Sequence, residues 1–311
     1  MLDSRRLRVL CEVARHGSFS AAAVALGYTQ PAISRQIATL EAELGTILLR
    51  RVPAGVVLTD AGRLLVARGE AIIAGLDDAE TELRALNGLS GGTLRLATFA
   101  SAAASVVPVA VARFRERYPA IELEIAMVDP DESLPGLRSG RHDLILTHDA
   151  MLDGTGSGVE LVALFDDPMY VAMPTAHRLS EAADLTLTDF AAEPWMLATT
   201  DSCPDSRLFL RACHAAGFEP RIAFHNDDYS AILGFVAAGV GVALIPDMVA
   251  RGAREDVVIR ALEPAPPARP IGAVLPFGFR SPAATAMVAV LQEVGEEWVA
   301  DRGQRLAAVS V

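Results

Sequence analysis

The sequence predicts a mainly α-helical head built on a winged helix-turn-helix, then one long linker helix, then an α/β body. Three observations predict it. Residues 18–44 hold two apolar helix faces separated by a glycine turn, and residues 65–86 hold a single heptad seam. From Thr93 onward, short apolar runs alternate with helical patterns. Periods of 3.6, 3.5 and 2 residues are the signatures of an amphipathic helix, a coiled-coil face and a strand.

In the head, Ala22, Ala23 and Leu26 form one apolar face, and Ile33, Ile37, Leu40 and Leu44 form the next. Between them Gly27-Tyr28-Thr29 makes the turn, since glycine accepts a left-handed backbone at little cost. Thr29 is placed to cap the second helix, and Pro31 falls in its first turn, where a missing N–H is harmless. Gln30, Pro31, Ser34 and Arg35 then face outward, a polar set suited to base edges in a major groove. The segment continues through Leu48-Leu49-Arg50-Arg51 into Gly55-Val56-Val57-Leu58, a short hairpin with two arginines. Thr59-Asp60-Ala61-Gly62 reads as the capped start of the long helix.

That helix carries Leu65, Ile72, Leu76, Ala79, Leu83 and Leu86 at alternating three-, four- and seven-residue steps, a seam for a short coiled coil. The run Asn87-Gly88-Leu89-Ser90-Gly91-Gly92 ends it. Beyond it, residues 94–98, 121–128 and 143–147 read as strands, and residues 105–117 and 132–139 as helices. This βαβαβ order argues a parallel sheet with helices on both faces. A second module follows, with strands at 170–173 and 239–246 and helices at 206–216 and 229–238. Residues 271–275 and 282–298 close the chain as strand and helix.

The phrases GSFSAAAVALGYTQPAISRQIATLEAELG, LLRR and LTDAG resemble the DNA-binding half of LysR-type transcriptional regulators. RFRERYP at 113–119, EPWML at 193–197, AAGFEPR at 215–221 and VAAGVGVALIP at 236–246 extend the likeness into the body. Val24-Ala25 departs from it, because the family usually has polar residues there. The resemblance implies a winged helix-turn-helix over 1–59, a linker and dimerisation helix over 60–88 and a hinge at 89–92. It also implies an effector domain over 93–311, similar to periplasmic solute-binding proteins. Lobe I then covers about 93–163 and 268–300, and lobe II about 164–267.

The charge distribution agrees. The chain carries −12 overall, yet residues 1–68 hold nine arginines against five acids, so a mildly basic head sits on an acidic body. Three cysteines without a paired framework suit a reducing cytoplasm. The charged N-terminus is no signal peptide, and the longest uncharged run, 229–246, is broken by glycines and proline, so no membrane partner is expected.

The expected DNA contacts are Ser20, Thr29, Gln30, Pro31, Ser34, Arg35, Arg50 and Arg51, with Arg51 the better phosphate ligand of the last two. In a two-lobed fold a small ligand lies at strand C-termini and helix N-termini. That places the expected effector contacts at Thr98, Ser101, Thr147, His148, Thr199, Ser202 and Asp228. The resemblance implies a homodimer, with a homotetramer as its fuller assembly, on a dyad-symmetric double-stranded operator. No cofactor or metal is called for. A rival within the family is thiol-based redox sensing through Cys203 and Cys213. An enzyme or a solute-binding protein is remoter, since HExxH and CxxC spacings are absent and Gly239-Val240-Gly241 precedes a strand.

Overall fold

The computed structural model describes residues 2–309 except 54, 86–90, 129, 149–157, 198–202, 253 and 278–279. The head contains α1 (Ser4–His16), α2 (Phe19–Leu26) and α3 (Gln30–Leu44), then the antiparallel hairpin β1 (Leu49–Val52) and β2 (Gly55–Leu58). Local chemistry sets these boundaries. The Asp3 carboxylate caps α1 by accepting from the Arg5 N–H at 2.9 Å, and the Ser18 hydroxyl accepts from Ala21 N–H at 3.4 Å to cap α2. Gly27 ends α2 at φ 67°, the left-handed conformation that lets the chain turn sharply into α3.

Thr29 precedes α3 as expected, but its hydroxyl makes no capping bond; its carbonyl accepts from Ala32 and Ile33 instead. Val9, Leu10, Val13, Ala22, Ala23, Ile33, Ile37, Leu40 and Leu48 form the head's core. Leu44 is the exception among the expected apolar positions. It sits in the final turn before Gly45 and is 41% exposed.

The linker helix α4 runs Asp60–Ala85. Thr59 opens it, its hydroxyl accepting from Gly62 N–H at 3.0 Å and donating to the Ile47 carbonyl at 2.7 Å. A Cβ at Gly62 would lie 2.1 Å from the Leu48 carbonyl oxygen, so only glycine lets α4 pass this close to the hairpin.

The body holds β3 (Gly92–Thr98), α5 (Ala100–Ala103), α6 (Val106–Arg117), β4 (Ile121–Met127), α7 (Pro130–Arg138), β5 (Leu144–Thr147) and β6 (Val159–Pro174). These are followed by β7 (Pro194–Leu197), α8 (Pro204–Ala215), β8 (Arg221–His225), α9 (Tyr229–Ala237), β9 (Val242–Pro246) and α10 (Asp247–Ala250). The chain ends with β10 (Val257–Arg260), β11 (Ala268–Pro276) and α11 (Pro282–Val309).

One sheet runs β4-β3-β5-β11-β6-β9-β7-β8, with β10 also on β6. The order β4-β3-β5 is parallel, as is β9-β7-β8. The sheet as a whole is mixed, not parallel, because β6 and β11 return antiparallel to their neighbours. A return strand reverses direction whenever the chain crosses between lobes without a crossover helix.

The strand expected over 170–173 is the end of this much longer β6. Its first part pairs with β11, and its second part pairs with β9 and β10. Each lobe has its own core. Leu94, Leu96, Phe114, Leu144, Ile271 and Leu291 fill one, and Trp195, Phe190, Phe209, Val171 and Leu244 fill the other. α8 begins two residues before the expected start, which brings Asp205 into its first turn.

Candidate nucleic-acid interface and interlobe site

The reading face of the head follows from its packing. Ile33, Ile37 and Leu40 point inward, which turns the opposite side of α3 to solvent. Thr29, Pro31 and Arg35 are exposed there, Gln30 and Ser34 are half-buried, and Ser20 is exposed on α2. The hairpin is fixed to the head by two ties. Glu41 accepts from the Leu48 and Leu49 N–H groups at 2.7 and 3.1 Å, and Val56 N–H donates to the Gly17 carbonyl at 3.0 Å. Arg50 is exposed on β1. The Arg51 side chain lies outside the described residues. The apolar departure noted on α2 stays out of the core, with Val24 83% exposed.

Along α4 the heptad seam divides. Leu65 packs against the head's own core, whereas Ile72 and Leu76 are 45% and 46% exposed and Ala79 is exposed. The Leu83 side chain and Leu86 fall outside the described residues.

Where the lobes meet, the structure gathers a buried polar cluster around Arg269. This residue stands on β11 directly across from Asp167 on β6. Its Nε donates to Asp167 Oδ2 at 2.9 Å, Nη1 to Asp205 Oδ2 at 2.9 Å and Nη2 to Ser101 Oγ at 2.7 Å. Tyr229 donates its hydroxyl to Asp205 Oδ2 at 2.7 Å. His148 Nδ1 lies 3.3 Å from Asp205 Oδ1, and its ring meets Phe99 edge-on with centroids 4.5 Å apart.

Arg269 and Asp167 are 2% and 0% exposed, so these charges sit in a low dielectric and depend on one another. Burial pushes the Asp167 carboxyl up, against the pull of Arg269. Burial would raise Asp205 too, but Arg269 and His148 outweigh it and hold that carboxyl well below the usual range.

Of the expected effector contacts, Ser101 and His148 belong to this cluster. Asp228 borders it as the cap of α9, accepting from Ser230 N–H at 2.7 Å, next to Tyr229. Thr98 and Thr147 end β3 and β5 and are buried; the Thr98 hydroxyl has only a long 3.5 Å contact to the Phe99 carbonyl. Thr199 and Ser202 lie outside the described residues.

Sequence reasoning missed Arg269, Asp167, Asp205 and Tyr229. The one available signal was a charge set inside each of two otherwise apolar strands, FDDPMYV and ARPIGAVLP.

The two thiols proposed as a redox pair sit at opposite ends of α8, about 15 Å apart at 1.5 Å per residue. A disulfide needs Cα atoms within about 7 Å, so bridging them would require α8 to unwind. Cys213 is fully buried and its thiol is pushed up to about 12 by burial. Burial, then Asp205, also raises Cys203. Both shifts oppose formation of the thiolate, the species that attacks peroxide.

Two family profiles match the chain: "Bacterial regulatory helix-turn-helix protein, lysR family" over residues 4–63, and "LysR substrate binding domain" over 87–296. A probable HTH-type transcriptional regulator, LrrA of Synechococcus elongatus, is 31% identical over 298 residues, 95% of this chain and 98% of that protein. A probable hydrogen peroxide-inducible genes activator of Streptomyces viridosporus is 32% identical over 242 residues, 78% of this chain and 76% of that protein. The fold matches full-length CbnR, a LysR family transcriptional regulator, at TM-score 0.70 and 23% identity, over 94% of this chain and 99% of that one. CbnR complexed with its target DNA matches at TM-score 0.70 and 24% identity, over 94% and 100%. With both halves matched and one relative aligned along nearly its whole length, the chain belongs to the LysR family of helix-turn-helix transcriptional regulators.

Proposed function

We propose that this regulator binds a dyad-symmetric operator as a homodimer, assembling further to a homotetramer, and that a small-molecule effector between the lobes modulates that binding. The observation that carries the reading is the exposed face of α3, which bears Arg35, together with the exposed hairpin arginine Arg50. Arg35, Ser34 and Gln30 read base edges; Ser20, Thr29, Arg50 and Arg51 serve the phosphates. The solved complex of CbnR with its target DNA supports this use of the fold.

Of the expected seam, Leu65 ties α4 to the head, and Ile72, Leu76, Ala79, Leu83 and Leu86 supply the dimer contact, because α4 leaves Ile72 and Leu76 exposed. Thr98, Ser101, Thr147, His148, Thr199, Ser202 and Asp228 line the effector cleft. Closing the lobes on a ligand turns the body against the head about residues 89–92 and resets the spacing of paired heads. The chain acts on DNA in the cytoplasm and is a regulator, not an enzyme. Among the described residues no helix is long and apolar enough to cross a membrane.

DNA from upstream of its own gene tests the reading. Arg35→Ala is expected to lose about 1–3 kcal/mol of specific affinity while non-specific binding holds. Arg50→Ala weakens both alike and lowers the salt slope by about one. Equal specific affinity for Arg35→Ala and the parent across salt concentrations would refute the assignment.

A further inference from the structure

Resting on the cleft reading above, we infer that the ligand admitted between the lobes is a small organic cation, an amidinium or ammonium group, and that Asp205 sets this class. The first support is charge. Arg269 is the single cation held between two carboxylates, Asp167 and Asp205. A third buried carboxylate, Asp247, is matched separately by Arg251 at 3.5 Å. Among the described residues, the guanidinium and the two carboxylates it holds therefore carry one negative charge in excess. An arriving carboxylate would add a third anion around one guanidinium, whereas a cation brings balance.

The second support is hydrogen-bonding capacity. Arg269 gives Nε to Asp167, Nη1 to Asp205 and Nη2 to Ser101, and Nη2 also lies 2.8 Å from Asp167 Oδ2 as an ion pair. Tyr229 gives its proton to Asp205. These donors are committed, but among the described residues Asp205 Oδ1 and His148 Nδ1 are buried without a hydrogen-bond partner, although they stand 3.3 Å apart. Asp205 Oδ1 can only accept, and a ligand that donates N–H groups satisfies it.

Asp205 also occupies the position that an acidic ligand would take. Its Oδ2 receives Arg269 Nη1 and the Tyr229 hydroxyl, charge-assisted and neutral donors of the kind that bind a carboxylate. The protein fills its own anion-binding position from the first turn of α8.

Three probes of one shape separate the alternatives: acetamidinium, acetamide and acetate. Each is titrated against the full-length chain at constant ionic strength, with thermal unfolding as the readout. The parent is expected to show saturable stabilisation by acetamidinium, with acetate weaker by about tenfold, the ratio given by about 1.4 kcal/mol. Asp205→Asn keeps the volume and removes the charge, so the preference disappears. Asp205→Ala leaves Arg269 and Tyr229 facing a carboxylate-sized gap, so acetate becomes the preferred probe. If Asp205→Ala fails to fold, Asp205→Asn decides alone.

Acetate binding the parent as tightly as acetamidinium, with a preference that still responds to Asp205 substitution, would overturn the ligand class and leave the cleft a ligand site. An unchanged preference in both variants would overturn the role of Asp205. No shift by any probe, in parent or variants, would overturn the inference together with the cleft reading on which it rests.

Discussion

Replacing Arg269 by methionine keeps much of the side-chain volume and removes the guanidinium that pairs with both Asp167 and Asp205. Three hydrogen bonds to oxygen are lost, and two carboxylates are left buried beside each other. Breaking a buried ion pair from one side costs about 3–5 kcal/mol, mostly the desolvation of the charge left behind. For a unit of this size each kcal/mol moves the midpoint by about 2–4 °C, so the body should melt roughly 6–20 °C lower. Arg269→Lys, which keeps the charge and loses the fork, is expected to lose less.

The pH dependence supplies a second check. In the parent, Asp205 has a depressed carboxyl pKa, so its stabilisation is present above the unfolded value of about 3.9 and is lost as pH falls. In Arg269→Met both carboxyls lose the guanidinium, and burial is then the largest influence on each and raises it. Their penalty is then full at neutral pH and fades as acid protonates them. The gap between parent and variant should therefore narrow from pH 7 towards pH 5. Calorimetric unfolding across that range measures it. A loss below about 1 kcal/mol at pH 7, or a gap independent of pH, would refute the view that Arg269 holds the lobes' buried charges together.

Two further outcomes follow from exposure and burial. Leu76→Glu, at an open seam position, should give monomers in sedimentation without changing the head's fold, because an acid there would be buried against a partner helix without a counter-charge; an intact dimer would remove the coiled-coil assignment. Cys203 should alkylate slowly at neutral pH, since burial and Asp205 raise its thiol, and peroxide should leave operator binding unchanged in the parent and in Cys203→Ser; peroxide-dependent binding that Cys203→Ser abolishes would restore the redox reading.

The head was legible in the sequence because its determinants are local. Ser18, Gly27, Pro31 and Gly45 lie within a turn of the boundaries they set, and the inward face of α3 recurs at fixed steps. Local reading failed at Leu44, which keeps the period but sits in a last turn with no core beneath it. It also failed at Thr29, whose backbone carbonyl took the part expected of its hydroxyl.

The interlobe cluster was legible only in part. Ser101 and His148 were found because ligand positions in a two-lobed fold follow strand ends. Arg269 was not, since its partners Asp205, Asp167 and Ser101 stand 64, 102 and 168 residues away. No periodicity joins residues at such separations. Only the antiparallel pairing of β6 with β11 sets Arg269 opposite Asp167, and that pairing departs from the parallel sheet expected from βαβαβ order.

The most direct measurement of the central claim is selection of binding sites from random double-stranded DNA by the full-length chain and by Arg35→Ala in parallel. The account predicts that the parent enriches a dyad-symmetric sequence whose half-sites lie on one face of the duplex, about 10–10.5 base pairs or a multiple of that apart. Arg35→Ala should lose that enrichment while still retaining DNA at low salt. Enrichment of the same sites by both proteins, or of no symmetric sequence by the parent, would contradict it.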